Sequence, residues 1–491
     1  MLRGITLVLA IGCSGPIPID GNSIRIDGRF EDWAALTPVA VDPAGDVTNP
    51  PADLGRAHAS ADGHFVHLAI EIGREANLQA LDGSLELRLD ADGDAVTGRT
   101  RDGQRGVDVT VVFSPPKEPG VAGNGTVLLG ASSDSPISAY NAELEQAPTH
   151  SSDRFEIRMS RGAEVDAATR FLDGSRFRGR WVARALDGAL VDATPEFTVA
   201  LPPMASGAGR TEPQNAAEND PLARVSSDGV RVVSWNVLYG GLLVRPEVSR
   251  KILRALDPDI LLLQELTVDQ TEAEVARFLD EALPGKSSWR VGLADRAGGK
   301  LRSAAATRLP ADPADASRDR SLPAVIAKAG DARILALSVH LPCCGRLDDE
   351  RDIARADAVE ALRAAVRDRA LAEGCDGVVL GGDLNLVGGA EPLYRLASGT
   401  DADGGDLAIA DAYQLDGRSN ATWSDARQPF MPGRLDYVLH SDRVFLAAEA
   451  FVFDARDLSA RWRKHHGLTA DATATASDHL PVVVDLLPAP R

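Results

Sequence analysis

The second half of this sequence carries a series of short polar segments whose residue types hold hard cations, move protons and hydrogen-bond to anions. In chain order they are Asn236, Gln264-Glu265, His340, Gly382-Asp383-Leu384-Asn385, Arg434-Leu435-Asp436-Tyr437 and Ser477-Asp478-His479. Most stand at the edge of an apolar run. Asn236 follows Val232-Val233-Ser234-Trp235, Glu265 follows Ile260 to Leu263, His340 follows Leu337-Ser338-Val339, and Asp383 follows Val378-Val379-Leu380. Asp478-His479 precedes Val482-Val483-Val484. Strand ends are where α/β proteins assemble sites, because a rigid sheet aims side chains into one crevice.

The elements that must position these residues alternate in type. The apolar runs read as buried strands. Val248, Ile252, Leu253 and Leu256 fall on one helical face, and Ile353, Ala356, Leu362 and Val366 mark a longer helix. The pattern predicts a layered α/β domain over residues 228–491. Residues 19–202 read differently. Val66–Ile72, Leu85–Leu89, Val107–Phe113 and Phe155–Met159 follow period two between Gly/Asp turns, the mark of an all-β sandwich. Residues 203–227, rich in Gly, Ala, Ser, Asn, Glu and Pro, read as a linker.

Six segments in this order resemble the endonuclease/exonuclease/phosphatase superfamily over roughly residues 228–488. The resemblance implies a four-layer α/β/β/α sandwich of two packed mixed sheets. It also implies hydrolysis of phosphate esters, most readily phosphodiesters of nucleic acid. Such esters are anionic and resist attack, so a site must neutralise charge and make a nucleophile. Glu265 suits Mg²⁺ or Mn²⁺ as an oxygen ligand, with Ca²⁺ a further candidate. By the resemblance, Asn236 and Asp478 complete or support the metal sphere. His479 takes a proton from the attacking water, and Asp436 fixes its tautomer. Asp383 orients the water, while Asn385 and His340 donate to the charge developing on phosphorus. Whether Asp383 or His479 is the base stays open.

Plainer readings stand beside these. Asp436 could pair with Arg434, Asn236 and Asn385 could form turns, Asp478 could cap one, and His340 could be a core histidine. The segment Ser338-Val339-His340-Leu341-Pro342 lacks the tyrosine of the abasic-site repair branch and looks more like the deoxyribonuclease and sphingomyelinase branches. Sphingomyelin and inositol phosphates are therefore alternative substrates, and phosphomonoesters use the same machinery. Arg346, Arg351 and Arg355, and the run Arg461-Trp462-Arg463-Lys464-His465-His466, are candidates for contacts to phosphate and base, or else a solvated surface.

The formal net charge of -20 argues against a chain built mainly to grip nucleic acid, and most of the excess lies before residue 220. Ile26-Asp27-Gly28-Arg29-Phe30-Glu31-Asp32-Trp33 and the Asp90-Ala91-Asp92-Gly93-Asp94 loop resemble family 9 carbohydrate-binding modules, which implies a glycan as partner. Arg101 stands at the twelfth loop position, so the loop is no EF-hand; a Ca²⁺ turn and a plain hairpin remain. A surface glycan-binding protein with a dead hydrolase fold is the alternative of another class. Against it, every position of the resemblance is filled.

Arg3, the apolar run Ile5–Gly12 and Cys13 resemble a bacterial lipoprotein signal over residues 1–18. The expectation is an exported protein, secreted or tethered to the cell envelope only through a lipidated Cys13, and monomeric. The sequence holds 4 cysteines. Cys343 and Cys344 could bond each other, one could bridge to Cys375, or all could be thiols.

Overall fold

The period-two and apolar runs become strands in both halves of the chain. The computed structural model describes residues 24–48, 50–166, 169–205, 219–285, 287–294, 299–310 and 322–490. The expected signal with Cys13, and residues 206–218 of the expected linker, lie outside the described residues.

The first half is all-β. The anticipated strands appear within Phe65–Ala76, Ser84–Asp90, Val109–Phe113 and Ser152–Ser160. They divide between a 5-stranded sheet, with Phe65–Ala76 at its centre, and a 7-stranded sheet built around Ser84–Asp90. One apolar cluster draws on both sheets and includes Leu68, Ile70, Leu87, Val111, Phe155 and Trp181. The Asp90–Asp94 segment forms a turn in which Arg178 Nε donates to Asp90 at 2.8 Å and Asp94 N–H to Asp92 at 2.8 Å.

In the second half, two sheets carry helices. The 7-stranded sheet runs Arg290–Leu293, Leu301–Thr307, Ile260–Thr267, Val230–Asn236, Val482–Pro488, Phe445–Val452, Tyr413–Gln414. The 5-stranded sheet runs Ala324–Ala329, Ala332–His340, Gly377–Asp383, Asp436–His440, Ala408–Ile409. Each holds one parallel pair closed by a helical crossover: Val230–Asn236 with Ile260–Thr267 through Pro246–Leu256, and Ala332–His340 with Gly377–Asp383 through Glu350–Ala372. The other pairings around them are mainly antiparallel, so both sheets are mixed.

Alternate residues of a strand face opposite sides, and the apolar clusters follow that rule. Val232, Ile260 and Leu262 of one sheet join Ile334, Ala336 and Val379 of the other. Val233, Leu261 and Leu263 face Ile252, Leu253 and Leu279 of the helices on the outer side. Leu335, Leu337, Val378 and Leu380 face Val359 and Val366 of the long helix. That helix starts where the Asp349 carboxylate accepts from the backbone N–H of Arg351 and Asp352, stabilising its free N-terminal donors.

The two halves touch at several points. Ile26 pairs with Ser419, the Tyr413 hydroxyl donates to Asp27 at 2.7 Å, and Met431 is buried in the apolar cluster of the all-β half. Cys343 and Cys344 are bonded to each other; Cys375 takes no part in a disulfide. No helix among the described residues is long and apolar enough to cross a membrane.

Candidate active site

The C-terminal ends of the two helix-connected parallel pairs meet. Asn236, His340 and Asp383 are the last residues of their strands. Register places His340 opposite Asp383 and Asp383 opposite Asp436, so three neighbouring strands set these side chains in one row. Asp478 and His479 enter from the turn after the helix Ala472–Ala476.

Local backbone features explain the aim of these groups. A Cβ on Gly382 would lie 1.7 Å from the carbonyl oxygen of Val339, so only glycine lets the strands of His340 and Asp383 approach this closely. The ladder between Ile260–Thr267 and Leu301–Thr307 slips between Leu263 and Leu266. Glu265 sits in that irregularity with φ of 61° and Asn385 has φ of 50°. Left-handed backbone at a non-glycine residue costs about 1–3 kcal/mol and persists where surrounding structure enforces it. Here the bulge turns Glu265 out of the ladder. Its Oε1 accepts from Asn236 Nδ2 at 3.2 Å and its Oε2 from the Tyr239 N–H at 3.1 Å.

Asn236 Nδ2 also donates to Asp383 Oδ2 at 3.1 Å, tying the two sheets together at the crevice. His479 Nδ1 is 2.8 Å from Asp436 Oδ2, which also accepts from the Thr422 hydroxyl at 2.7 Å. The Nε2 atoms of His479 and His340 lie 3.7 Å and 3.6 Å from Asp383 Oδ2. Asn385 Nδ2 donates to the Leu341 carbonyl at 3.1 Å, and its own N–H to Asp383 Oδ1 at 2.9 Å. Asn236, Asp383, Asn385, Asp436 and His479 are buried, while Glu265, His340 and Asp478 are partly exposed. All eight residues expected from the sequence therefore fall within one connected group of side chains.

Charge in the crevice is lopsided. Burial opposes a charge on His479, but Asp436 and Asp383 beside it overcome that and push its pKa up to about 10. Burial raises the Asp383 carboxyl above its usual range, reinforced by Asp436 and opposed by His479 and His340. Asp383, Asp436 and His479 present ligand atoms within 4.8 Å of one another. Oδ1 of Asp436 and Oδ1 of Asp478 are buried without a hydrogen-bond partner. Buried carboxylate oxygens need a cation or donor. Orphaned carboxylate oxygens of this kind suit a hard divalent cation.

Some expected contacts are corrected by the packing. Trp462 is 9% exposed and belongs to the apolar cluster under the 7-stranded sheet, so it offers no face for a base. His466 Nε2 is 3.0 Å from Asp220. Arg355 is buried and donates to the carbonyls of Pro342 and Cys344 at 2.9 Å and 2.7 Å, so it shapes the loop after His340 instead of meeting phosphate. Arg346 pairs with Asp82 of the all-β half at 2.8 Å. Arg434 lies over the Tyr437 ring, leaving Asp436 to His479. Two site-bordering residues escaped sequence reading: Thr422, and Trp423, whose indole N–H donates to Asp478 Oδ2 at 3.2 Å. Their only sequence signal is a Thr-Trp pair in an irregular stretch ahead of Arg434-Leu435-Asp436.

Residues 233–479 match the model of the Endonuclease/Exonuclease/phosphatase family. No curated protein matches the sequence. Among solved structures, the chain is similar to a 3′ phosphatase from Neisseria bound to product DNA hairpin, at 18% identity and TM-score 0.35 over 52% of this chain and 98% of that one. Truncated TDP2 from Caenorhabditis elegans is 19% identical, with TM-score 0.35 over 53% of this chain and 98% of that one. An AP endonuclease from Archaeoglobus fulgidus is 15% identical, with TM-score 0.32 over 52% of this chain and 98% of that one. Likenesses this distant say nothing of what this chain acts on.

Proposed function

The chain belongs to the endonuclease/exonuclease/phosphatase family of hydrolases, and we propose that it is an exported, divalent-metal-dependent phosphodiesterase whose substrate is nucleic acid. The observation that carries this reading is the crevice in which buried carboxylate oxygens of Asp436 and Asp478 lack partners while His479 stands between Asp436 and Asp383. Two sheets sharing an inner apolar cluster, each covered outside by helices, support the four-layer reading. The limits 19–202, 203–227 and 228–491 belong to the same proposal, as do export through the Cys13 signal and a glycan as the partner of the all-β half.

Glu265 and Asp478, with Asn236 beside them, would hold Mg²⁺ or Mn²⁺. The bound cation would polarise the phosphoryl oxygens and offset the negative charge of the ester. The chain's own groups do the rest. Asp383 accepts a hydrogen bond from water and orients it, and its proton goes to Asp383 or, once a cation offsets the carboxylate charge that raises the His479 pKa, to His479. Asp436 fixes which ring nitrogen of His479 faces the crevice, since Nδ1 is already engaged. His340, which is partly exposed, would donate to a phosphoryl oxygen.

The test is a hydrolysis panel on the protein with Mg²⁺, Mn²⁺, Ca²⁺ or EDTA. It holds plasmid DNA, single-stranded DNA, RNA, sphingomyelin, inositol phosphates and bis-p-nitrophenyl phosphate. We expect cleavage of nucleic acid that EDTA abolishes. Turnover of sphingomyelin or inositol phosphate alone would reassign the substrate. Well-folded protein that hydrolyses nothing with any metal would leave a binding protein.

A further inference from the structure

Three loops that leave the crevice dock on the all-β half. Arg346 of the loop after His340 reaches Asp82 at 2.8 Å and the Gly123 carbonyl at 3.2 Å. In the loop after Asn385, the Val387 carbonyl accepts from Asn77 Nδ2 at 2.6 Å and the Gly388 carbonyl from the Ser151 N–H at 2.8 Å. The third loop, residues 422–434, is held most tightly. The Tyr140 hydroxyl accepts from the Asp425 N–H at 2.9 Å, Gln79 Oε1 from the Met431 N–H at 2.8 Å, and the Pro429 carbonyl from the Thr126 N–H at 2.7 Å. Thr149 Oγ1 accepts from the Arg434 N–H at 2.7 Å.

The same loop touches the crevice from its other side. The Thr422 hydroxyl donates to Asp436, and Trp423 Nε1 donates to Asp478 Oδ2. The Ser424 N–H donates to the Asp478 carbonyl at 2.9 Å. With Oδ2 engaged by the indole, Oδ1 of Asp478 is the oxygen left without a partner. The loop carries Pro429 and Pro432, forms no strand or helix between Ala421 and Leu435, and buries Met431 in the other half's apolar cluster. Its two ends are clasped by the bridge between Trp423 and Gly433, whose backbone groups exchange hydrogen bonds of 2.9 Å and 3.1 Å, and the turn between them, from Asp425 to Met431, is the part that rests on the all-β half.

We propose that Tyr140 and Gln79 of the all-β half are positioning residues for the metal site: they hold loop 422–434 so that Trp423 aims Asp478 at the cation. This rests on the reading of Glu265 and Asp478 as the metal-holding pair. It makes the all-β half part of the catalytic unit as well as whatever else it binds. Partners behind a metal ligand typically contribute about 10- to 100-fold to metal affinity or activity. A residue one contact further out acts through that partner and contributes less.

The experiment measures Mn²⁺ binding to the full chain by calorimetry and electron paramagnetic resonance, alongside kcat at saturating Mn²⁺. The variants are Tyr140→Phe, Gln79→Met, Trp423→Phe and the double variant Tyr140→Phe/Trp423→Phe. Trp423→Phe should weaken Mn²⁺ binding about 10-fold. Tyr140→Phe and Gln79→Met should each weaken it severalfold, and the double variant should be no weaker than Trp423→Phe alone. That non-additivity separates positioning from general loss of stability, and Gln79→Met serves if Tyr140→Phe fails to fold. Mn²⁺ binding equal to wild type in every folded variant overturns the proposal, even where their melting temperatures fall; so does a wild type that binds no Mn²⁺. The expected binding pattern in a chain that hydrolyses nothing would sustain the positioning role and overturn the phosphodiesterase reading instead.

Discussion

Two central strands of the 7-stranded sheet, Val230–Asn236 and Val482–Pro488, bury polar groups at both ends, and the two ends treat charge in opposite ways. At the base, Arg231 grips Asp485 with two contacts of 2.6 Å and 2.7 Å. Its remaining nitrogen positions reach the carbonyls of Leu222, Leu256 and Ala223. Asp259 beside it accepts from Arg224, Arg308 and the Arg231 N–H. At the crevice end stand Glu265, Asp383, Asp436 and Asp478. Among the described residues no guanidinium forms an ion pair with any of them, although Arg245 lies near enough to feel Asp478. A charged network that satisfies itself is a brace. One that leaves carboxylate oxygens unsatisfied stores an unmet demand, which a cation and a substrate would fill.

The largest test of that contrast acts on rate. His479→Ala should lower kcat by roughly 10²–10⁴-fold, the usual scale for a lost proton-transfer group, with the chain still folded. Near wild-type turnover in folded protein would remove His479 from the chemistry. At the base the effect should appear in stability instead. Arg231→Ala strands Asp485 and opens several carbonyls, so chemical denaturation should show a loss of about 3–5 kcal/mol, with kcat per folded molecule unchanged. If Arg231→Ala cut kcat as deeply as His479→Ala, the division between brace and site would be wrong.

The smallest effect sharpens the base itself. Glu449 lies near Asp485, and burial, reinforced by Asp485 and opposed by Arg231, raises its pKa to about 7. The folded protein therefore holds a proton there that the unfolded chain has released, and stability should decline as pH rises from about 4.5 towards and through 7. Glu449→Gln should flatten that decline, measured as the melting temperature against pH. An unchanged pH profile would mean that Glu449 is ionised in the folded state and that the base balances its charges less completely than the distances suggest.

Much of this was legible before any tertiary structure. Apolar runs such as Ile260–Leu263 and Val482–Val484 can only be buried strands, and a polar residue at the edge of such a run has few places to go but a sheet end. Strand periodicity separated the all-β first half for the same reason. Long-range packing was not legible. Trp462 reads as an exposed aromatic among basic residues, yet a helix capped by Ser459 turns it into the core. Arg355 reads equally as a phosphate contact or a solvated surface residue, yet the fold directs it at loop carbonyls.

By itself, then, the sequence determined which residues have the chemistry and that strands deliver them to one edge, because residue type and periodicity are local properties. Only the tertiary structure decided that Glu265 turns out of its ladder, that Asp436 serves His479 and not Arg434, and that the turn within residues 422–434 rests on a surface far away in the chain. Each of those depends on contacts between segments separated by tens to hundreds of residues, and no local pattern encodes which distant segment will arrive.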